Sequence, residues 1–451
     1  MSVQETPPSV VATADWRFPA VTDSRLDNGM RVLVYHCPGQ YVVSASLLFD
    51  VPLDAEPRPL EGVAGLSGRC LPRGSAGRSA DEFADAVALC GADIDASAFA
   101  DGFAVRLTTP VSTLSRALGL VADAVSDPNL DADEFDHEKR LRLQEIEQAQ
   151  AYPQHVAAEQ LNAALFGVAR AGRPVGGAAD TVEQVQREDV VAFAADHLQP
   201  SAATLILAGD FGTTDPLALT SDSFGSWDHV GSDMVDATRR PVISDLPQVG
   251  FVDWPDAPQS TIRVGGQGID RADPRWPALF VANFAVGGNF SSRINTVLRE
   301  EKGVTYGANS SLDTSRGTGL LTVSTAVRAN ATAESVADIV SILSGAAGTL
   351  TDDEVQMGVR AATDSAAVGF ERAEAVVNRV EMIVSQRLPL NYVDTNLAGL
   401  RAVTTAAANE AYLDVVDPDR LTIVVVGSGP EVREPLAAWG YAEVRDISPL
   451  R

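Results

Sequence analysis

Lysine is almost absent from this chain. Of its 34 basic residues only Lys139 and Lys302 are lysines, and 61 acidic residues leave a formal charge of −27. Such a chain repels phosphate backbones and anionic lipid, which argues against nucleic-acid or membrane-surface partners. Cysteine is scarce as well: Cys37, Cys70 and Cys90 among 451 residues make no disulfide framework. No uncharged apolar run approaches the roughly 18 residues that a membrane-spanning helix needs. The opening stretch, MSVQETPPSVVATADW, is polar and proline-rich, without the basic start and apolar centre of a secretory signal. The expected location is cytoplasmic. Histidine is limited to His36, His137, His155, His197 and His229, no two of them three to five residues apart. Neither helical zinc-peptidase signature, H-x-x-E-H or H-E-x-x-H, can therefore be written anywhere.

What is present in quantity is apolar: 45% of residues, enough for a substantial core in about two to four domains. The chain also repeats itself. An apolar, β-rich run TLILAGDF carries Gly209, and a second, LTIVVVGSG, carries Gly427, an offset of 218. LDADEFDHEKRL begins at Leu130 and LTDDEVQMGVRA at Leu350, an offset of 220. Each opens with acidic residues suited to a helix N-terminus. Two matches at nearly one offset predict a duplicated unit of about 220 residues. Units are expected over 1–212 and 248–451, with 213–247, rich in Asp, Ser, Gly and Pro, as the linker.

Each unit reads as α+β. MRVLVYH is a strand opened by the turn pair Asn28-Gly29, and VVSASLLFD is a second strand. SADEFADAVALCG is a helix, with Ser79 as N-cap, Glu82 at the capping-box position and Gly91 as terminator. DIDASAFAD and GFAVRLTTP read as a strand pair. Leu114, Leu118, Val121 and Val125 form one stripe of an amphipathic helix. In the second unit STIRVGGQG and GLLTVSTAV are strands, and PALFVANFAVGG and AESVADIVSILSGA are helices. The expected fold is two homologous domains, each a mostly antiparallel sheet covered by helices.

The most specific stretch is GGNFSSRINTVLREEKGVTYGANSSL, residues 287–312. Gly287 and Gly288 end a helix, Phe290, Ser292 and Arg293 follow, INTVLREEKG is a helix stopped by Gly303, and VTYGANSSL starts a strand. This pattern, together with LDNGMRVLVYH, EGVAGLSG, GRSADEFADAV and DADEFDHEKRLRLQEI in the first unit, resembles the pitrilysin/insulinase family of zinc peptidases. The likeness is to its short-chain branch, with mitochondrial processing peptidase and bacterial heterodimeric relatives, and it spans nearly the whole chain.

The resemblance implies a zinc motif H-x-x-E-H on a first-unit helix, and a glutamate ligand about 76 residues further on. Here GVAGLSGRCLPRG stands at that motif. Gly65 takes the first ligand position, Gly68 the general-base position and Arg69 the second ligand position. Counted from Arg69, the third ligand position falls on Glu145, and Glu138 stands where the family often has a supporting carboxylate. Arg69 is a fixed cation that repels Zn²⁺. Without histidines the two acids are expected to be helix-face carboxylates paired with Arg69, Arg140 or Arg142. Cys70 is a bystander. No zinc is expected in this chain.

In the second unit the family pair of Arg and Tyr, seven residues apart, is matched by Arg299 and Tyr306. The resemblance gives them substrate binding and oxyanion stabilisation across a closed chamber from a partner's zinc. Their bland alternative is Arg299 paired with Glu300 or Glu301 and Tyr306 packed. The expected function is the non-catalytic, substrate-binding subunit of a heterodimeric zinc metalloendopeptidase, whose partners are a zinc-bearing homologous subunit and a peptide. A structural or peptide-binding scaffold without a role in hydrolysis is the other reading. No Ser-His-Asp or Cys-His arrangement stands out to support a different mechanism.

Overall fold

The computed structural model describes residues 16–75, 77–232, 249–438 and 444–446. Its strands fall into two six-stranded sheets. The first is built from β1 (Val21–Arg25), β2 (Arg31–His36), β3 (Val42–Phe49), β4 (Asp93–Phe99), β5 (Gly102–Pro110) and β6 (Ala203–Gly209), in the order β1-β2-β6-β3-β5-β4. The second contains β7 (Val249–Asp253), β8 (Gln259–Gly268), β9 (Ala308–Ser315), β10 (Thr318–Arg328), β11 (Thr422–Gly427) and β12 (Val444–Asp446), in the order β12-β7-β11-β8-β10-β9. Five strands correspond one to one. In both sheets the last strand of that set, β6 or β11, slots between the first two and runs parallel to the first and antiparallel to the second. The outermost strand differs. β1 pairs antiparallel with β2 from the N-terminal side, whereas β12 pairs parallel with β7 from the C-terminal side.

The local signals explain the elements. Gly29 has φ +91°, as the hairpin turn between β1 and β2 requires. The helix α1 (Val63–Cys70) is followed by α2 (Ala80–Leu89), which begins at a reciprocal cap. The Ser79 Oγ accepts from the Glu82 amide, and the Ser79 amide donates to the Glu82 carboxylate at 2.9 Å. In α3 (Leu114–Ser126) the four stripe residues are all buried. The long α4 (Ala132–Ala149) starts at Asp131, whose carboxylate accepts from the amides of Asp133 and Glu134. At the repeat position Thr351 caps the helix Asp352–Asp364. Leu130 and Leu350, just before these caps, are both buried.

Alternation along the strands gives each sheet two apolar faces. In the first, Val32, Val34, Leu205 and Leu207 turn to its own helices, while Leu33, Tyr35, Ile206 and Ala208 turn the other way. That second face is covered by a helix from the other half, Ala373–Ser385, through Val376, Val377, Val380 and Ile383. The reciprocal cover comes from α5 (Pro153–Phe166). Its Val156, Leu161, Leu165 and Phe166 pack on Val252, Leu320, Val424 and Val426 of the second sheet. Pro153 and Ala373 are separated by the same offset as Leu130 and Leu350, so the two crossing helices are themselves repeat equivalents.

Part of the expected linker is structured. Asp215 caps a helix Pro216–Phe224, and Phe224 and Trp227 are buried in the first core. The Asn28 side-chain amide donates to the carbonyls of both, each at 2.8 Å. Polar flanks hide these apolar anchors from a composition reading. The rest of the linker, 233–247, lies outside the described residues.

Among the ion pairs that join the halves, which include Arg316–Asp50 at 2.6 Å and Arg387–Asp50 at 3.0 Å, one lies on the crossing helix. Glu381 of the crossing helix accepts from Arg106 of β5 through both oxygens, at 2.5 and 3.0 Å, and from the Ser46 hydroxyl of β3 at 2.8 Å. Glu381→Ala strands the guanidinium against the helix. An expected loss of about 2–3 kcal/mol follows, below the full cost of breaking a buried pair because Arg106 keeps some water. Urea unfolding measures it, and an unchanged midpoint would show that this pair adds nothing to the seam.

Candidate functional site

The degenerate motif lies on α1, and two carboxylates fix where that helix begins. Gly62, at φ +104°, leads into it. One oxygen of Glu56 accepts from the amides of Gly62 and Ala64, both at 3.0 Å. The other oxygen is gripped by Arg170 at 2.7 and 3.0 Å, with both side chains almost fully buried. The neighbouring Glu61 accepts from Arg173 through both oxygens, at 2.5 and 2.6 Å. These residues are invisible to motif reading, since each pair joins positions far apart in the sequence.

From this anchored start α1 carries Gly65, Gly68 and Arg69 past α4. Arg69 is the centre of an ion-pair network. Its Nε donates to Glu138 at 2.9 Å, and its two terminal nitrogens donate to the two oxygens of Glu145 at 3.0 and 3.1 Å. Glu138 and Glu145, two helical turns apart, share one face of α4. Arg73 approaches the remaining oxygen of Glu138 at 2.7 Å, and Arg142 stands 3.5 Å from Glu145. Arg140 has no part in the network: its guanidinium meets His137 instead. The Glu138 side chain is 1% exposed, so its charge is stabilised by the two arginines that flank it. Cys70 is buried beside it, and burial, reinforced by the Glu138 charge, pushes the thiol up to about 12. It remains a thiol at neutral pH and is no ligand.

Gly68 does more than lack a carboxylate. A Cβ placed there would lie 2.8 Å from the Ala96 carbonyl oxygen and 3.2 Å from Ser97 Cα, both in β4. The helix has closed onto the strand at the position where a general base would stand. Gly65 has only ordinary contacts. A cavity of about 650 Å³ remains beside this surface, lined by Gly65, Gly68, Arg69, Glu138 and Arg142 and by β4, the edge strand. The residues do not fit zinc: both carboxylates are committed to a guanidinium fork, and among the described residues no group of three or more His, Cys, Asp and Glu side chains could hold a metal.

The second-unit motif divides into framework and wall. Gly287 is required by packing, since a Cβ there would lie 2.5 Å from Ser310 Cβ. Asn295 is buried and ties the motif loop to β9: its amide donates to the carbonyls of Asn289 at 3.0 Å and Ala308 at 2.8 Å, and its oxygen accepts from the Ala308 amide. Arg293 is a strut. It makes a two-pronged contact with Glu354 at 2.6 and 2.7 Å and holds that carboxyl down to about 2. The stretch expected as one regular helix is a short α-turn, Arg293–Asn295, continuing as a wider π-turn through Glu301. Such turns redirect the side chains beyond them.

The wall consists of Phe290, Arg299 and Tyr306. Arg299 lies over the Phe290 ring at 3.7 Å from its centroid and donates to Glu300 at 2.6 Å. Tyr306 is 92% exposed, so it does not pack. It precedes β9 rather than beginning it, because the Thr305 hydroxyl bonds to both the amide and the carbonyl of Gly307 and folds the loop on itself. Tyr306 and Phe290 line a polar cavity of about 720 Å³ with Thr261, Arg263 and Asn295. No hydrogen bond joins Arg299 to Tyr306 among the described residues; Phe290 is the residue that both stacks under Arg299 and lines the cavity of Tyr306. Arg263, a charge within an apolar strand sequence, was the residue of this wall that motif reading missed.

Known proteins share this layout. A family model described as insulinase (peptidase family M16) matches residues 31–179, and one described as the peptidase M16 inactive domain matches residues 184–361. An uncharacterized zinc protease of Mycobacterium leprae is 26% identical over 378 residues, which cover 83% of this chain and 84% of that protein. The solved peptidase M16 inactive domain from Pseudomonas fluorescens superimposes with a TM-score of 0.84 at 21% identity, over 91% of this chain and 98% of the other. A chain of complex III2 from Candida albicans gives 0.77 at 15% identity, over 93% and 99%. At these identities the structures speak for the fold alone.

The close approach at Gly68 is testable. Gly65→His with Arg69→His is expected to be tolerated at the backbone. Adding Gly68→Glu forces α1 and β4 apart and lowers stability by about 1–3 kcal/mol more, as overpacking does. Equal unfolding midpoints for the double and triple variants would show that β4 yields freely.

Proposed function

The chain belongs to the insulinase family of peptidases, and we propose that it is the non-catalytic, substrate-binding subunit of a heterodimeric zinc endopeptidase. The observation that carries this reading is a contrast between the halves. In the first, Arg69 spans Glu138 and Glu145, and Gly68 leaves no room for a base. In the second, Phe290 and Tyr306 line a polar cavity, and Arg299 lies over the Phe290 ring. The units proposed over 1–212 and 248–451 would then form half of a closed chamber, with zinc in the homologous partner. In the proposed complex, Arg299 supplies a charged multi-donor fork and Tyr306 a neutral hydroxyl for a carbonyl oxygen that gains charge. The Arg299–Glu300 pair does not oppose this role. Glu300 is largely exposed, and an exposed pair is worth little and exchanges readily.

That same pair is also what a scaffold without a role in hydrolysis would show, and it keeps the scaffold as the second reading. Three measurements test the subunit reading, and the last separates it from the scaffold. The purified chain should hold well below one zinc per chain after dialysis, by elemental analysis. It should cleave peptides only with a zinc-bearing partner; chelator-sensitive cleavage by this chain alone would contradict the reading. In the assembled complex Arg299→Ala and Tyr306→Phe should each lower turnover on the order of 10²–10³-fold, about 3–4 kcal/mol, with Arg299→Ala the larger. Tyr306→Phe keeps the ring and removes only the hydroxyl. Unchanged kinetics for both, in complexes of normal stability, would move the scaffold to first place.

A further inference from the structure

The repeat provides an internal control for one charged residue. Gly209 and Gly427 set the displacement of β6 and β11, so Ile206 corresponds to Val424. Ile206 pairs with Ser46 and Val424 pairs with Arg263; Ser46 in turn pairs with Arg106, and Arg263 with Ser324. Each sheet thus carries one arginine and one serine side by side on the face that the crossing helix covers, with the strands exchanged. In the first sheet Glu381 of the crossing helix satisfies both members. In the second, the repeat equivalent of Glu381, at the offset that relates Ala373 to Pro153, is Leu161, which is buried and offers no acceptor.

Arg263 is therefore left over. Its Nε is buried without a hydrogen-bond partner, and among the described residues no ion pair reaches it. Burial draws its pKa below the usual guanidinium value, with Asp313 only partly opposing. The nearby acids are engaged elsewhere. Asp313 accepts from the hydroxyls of Ser311 and Thr322, and Glu159 is held by His155 and Gln150. Arg263 forms part of the wall of two cavities. One is that of Tyr306 and Phe290, where it is the one charged residue of the lining among the described residues; the other, about 380 Å³, lies between α5 and the strands β9 and β10. A desolvated cation that folding leaves unpaired, on a cavity wall rich in neutral amides and hydroxyls, is a recognition element for an anion.

We propose that Arg263 recognises a carboxylate of the bound peptide, either an acidic side chain or the C-terminal carboxylate. The proposal rests on the substrate-binding reading above, and it makes this half of the chamber selective for acidic or C-terminal segments despite the chain's overall negative charge.

Binding to the purified full-length chain tests it without a partner or turnover. The probes are N-acetylated, alanine-rich octapeptides of three kinds: one Glu at each position in turn with an amidated C-terminus, the matching Gln series with an amidated C-terminus, and Gln peptides with a free C-terminal carboxylate. Peptides of at least one carboxylate-bearing kind should bind about tenfold tighter than the amidated Gln peptides, the scale of a hydrogen bond to a charged group. The kind that gains identifies the source of the carboxylate. Arg263→Gln should erase the gain and Arg263→Lys should keep part of it. Because the guanidinium has no partner to lose, neither variant should lower the thermal midpoint. Equal binding of all three kinds, no binding of any at millimolar concentration, or a gain that survives Arg263→Gln overturns the proposal. So does a midpoint several degrees lower in Arg263→Gln, which would make the residue structural. A gain that depends on Arg263, in a complex whose turnover ignores Arg299 and Tyr306, would leave this proposal standing and remove the subunit reading instead.

Discussion

The exchange of α5 and the helix Ala373–Ser385 is the contact on which the architecture depends. Each sheet is apolar on both faces, yet each half covers only one of them with its own helices. The other face stays wet until the opposite half arrives. Burying a Leu or Val side chain is worth about 1.5–3 kcal/mol, and each crossing helix brings several. The halves are separate in sequence and interdependent in packing, and the Glu381–Arg106 pair adds register to a seam whose strength is apolar.

A scaffold held this way does not need its metal site. In the first unit the local demand was electrostatic. Glu138 is buried on α4, and a buried carboxylate requires a cation. Arg69, with Arg73, supplies it from the protein itself. The planar fork reaches Glu138 and both oxygens of Glu145, which a lysine point charge would not do. The second unit shows the complementary economy. Its buried members, Asn295, Arg293 and Gly287, hold the loop, so Phe290 and Tyr306 can stand exposed.

Much of this was legible in the sequence because it is local. The Asn28-Gly29 turn, the Ser79–Glu82 cap and the α3 stripe rest on signals within a few residues, and the two repeat offsets agree because each compares short, distinctive runs. Gly65, Gly68 and Arg69 could be singled out too, since they stand at the positions where the resemblance places a zinc motif. What was hidden is long-range. The buried stripe Val156, Leu161 and Leu165 of α5 was not read from the sequence, and its crossing to the second sheet exists only in the fold. The pairing of Glu56 with Arg170 leaves no spacing to read. Gly68 reads as a missing carboxylate, while its contact with the β4 backbone exists only in three dimensions. The helix at Pro216–Phe224 was masked by its polar flanks.

The crossing also sets a clock on synthesis. When the ribosome has made Phe166, α5 is complete, but β11, half of its eventual berth, does not begin until Thr422. At about 5–20 residues per second the nascent chain carries that stripe uncovered for roughly 13–51 seconds. For most of this interval, from the completion of β6 at Gly209 until Ser385, the first sheet likewise lacks Ala373–Ser385. The net charge of −27 then matters in a different way: like charges on neighbouring nascent chains hold them apart while two greasy faces wait for each other.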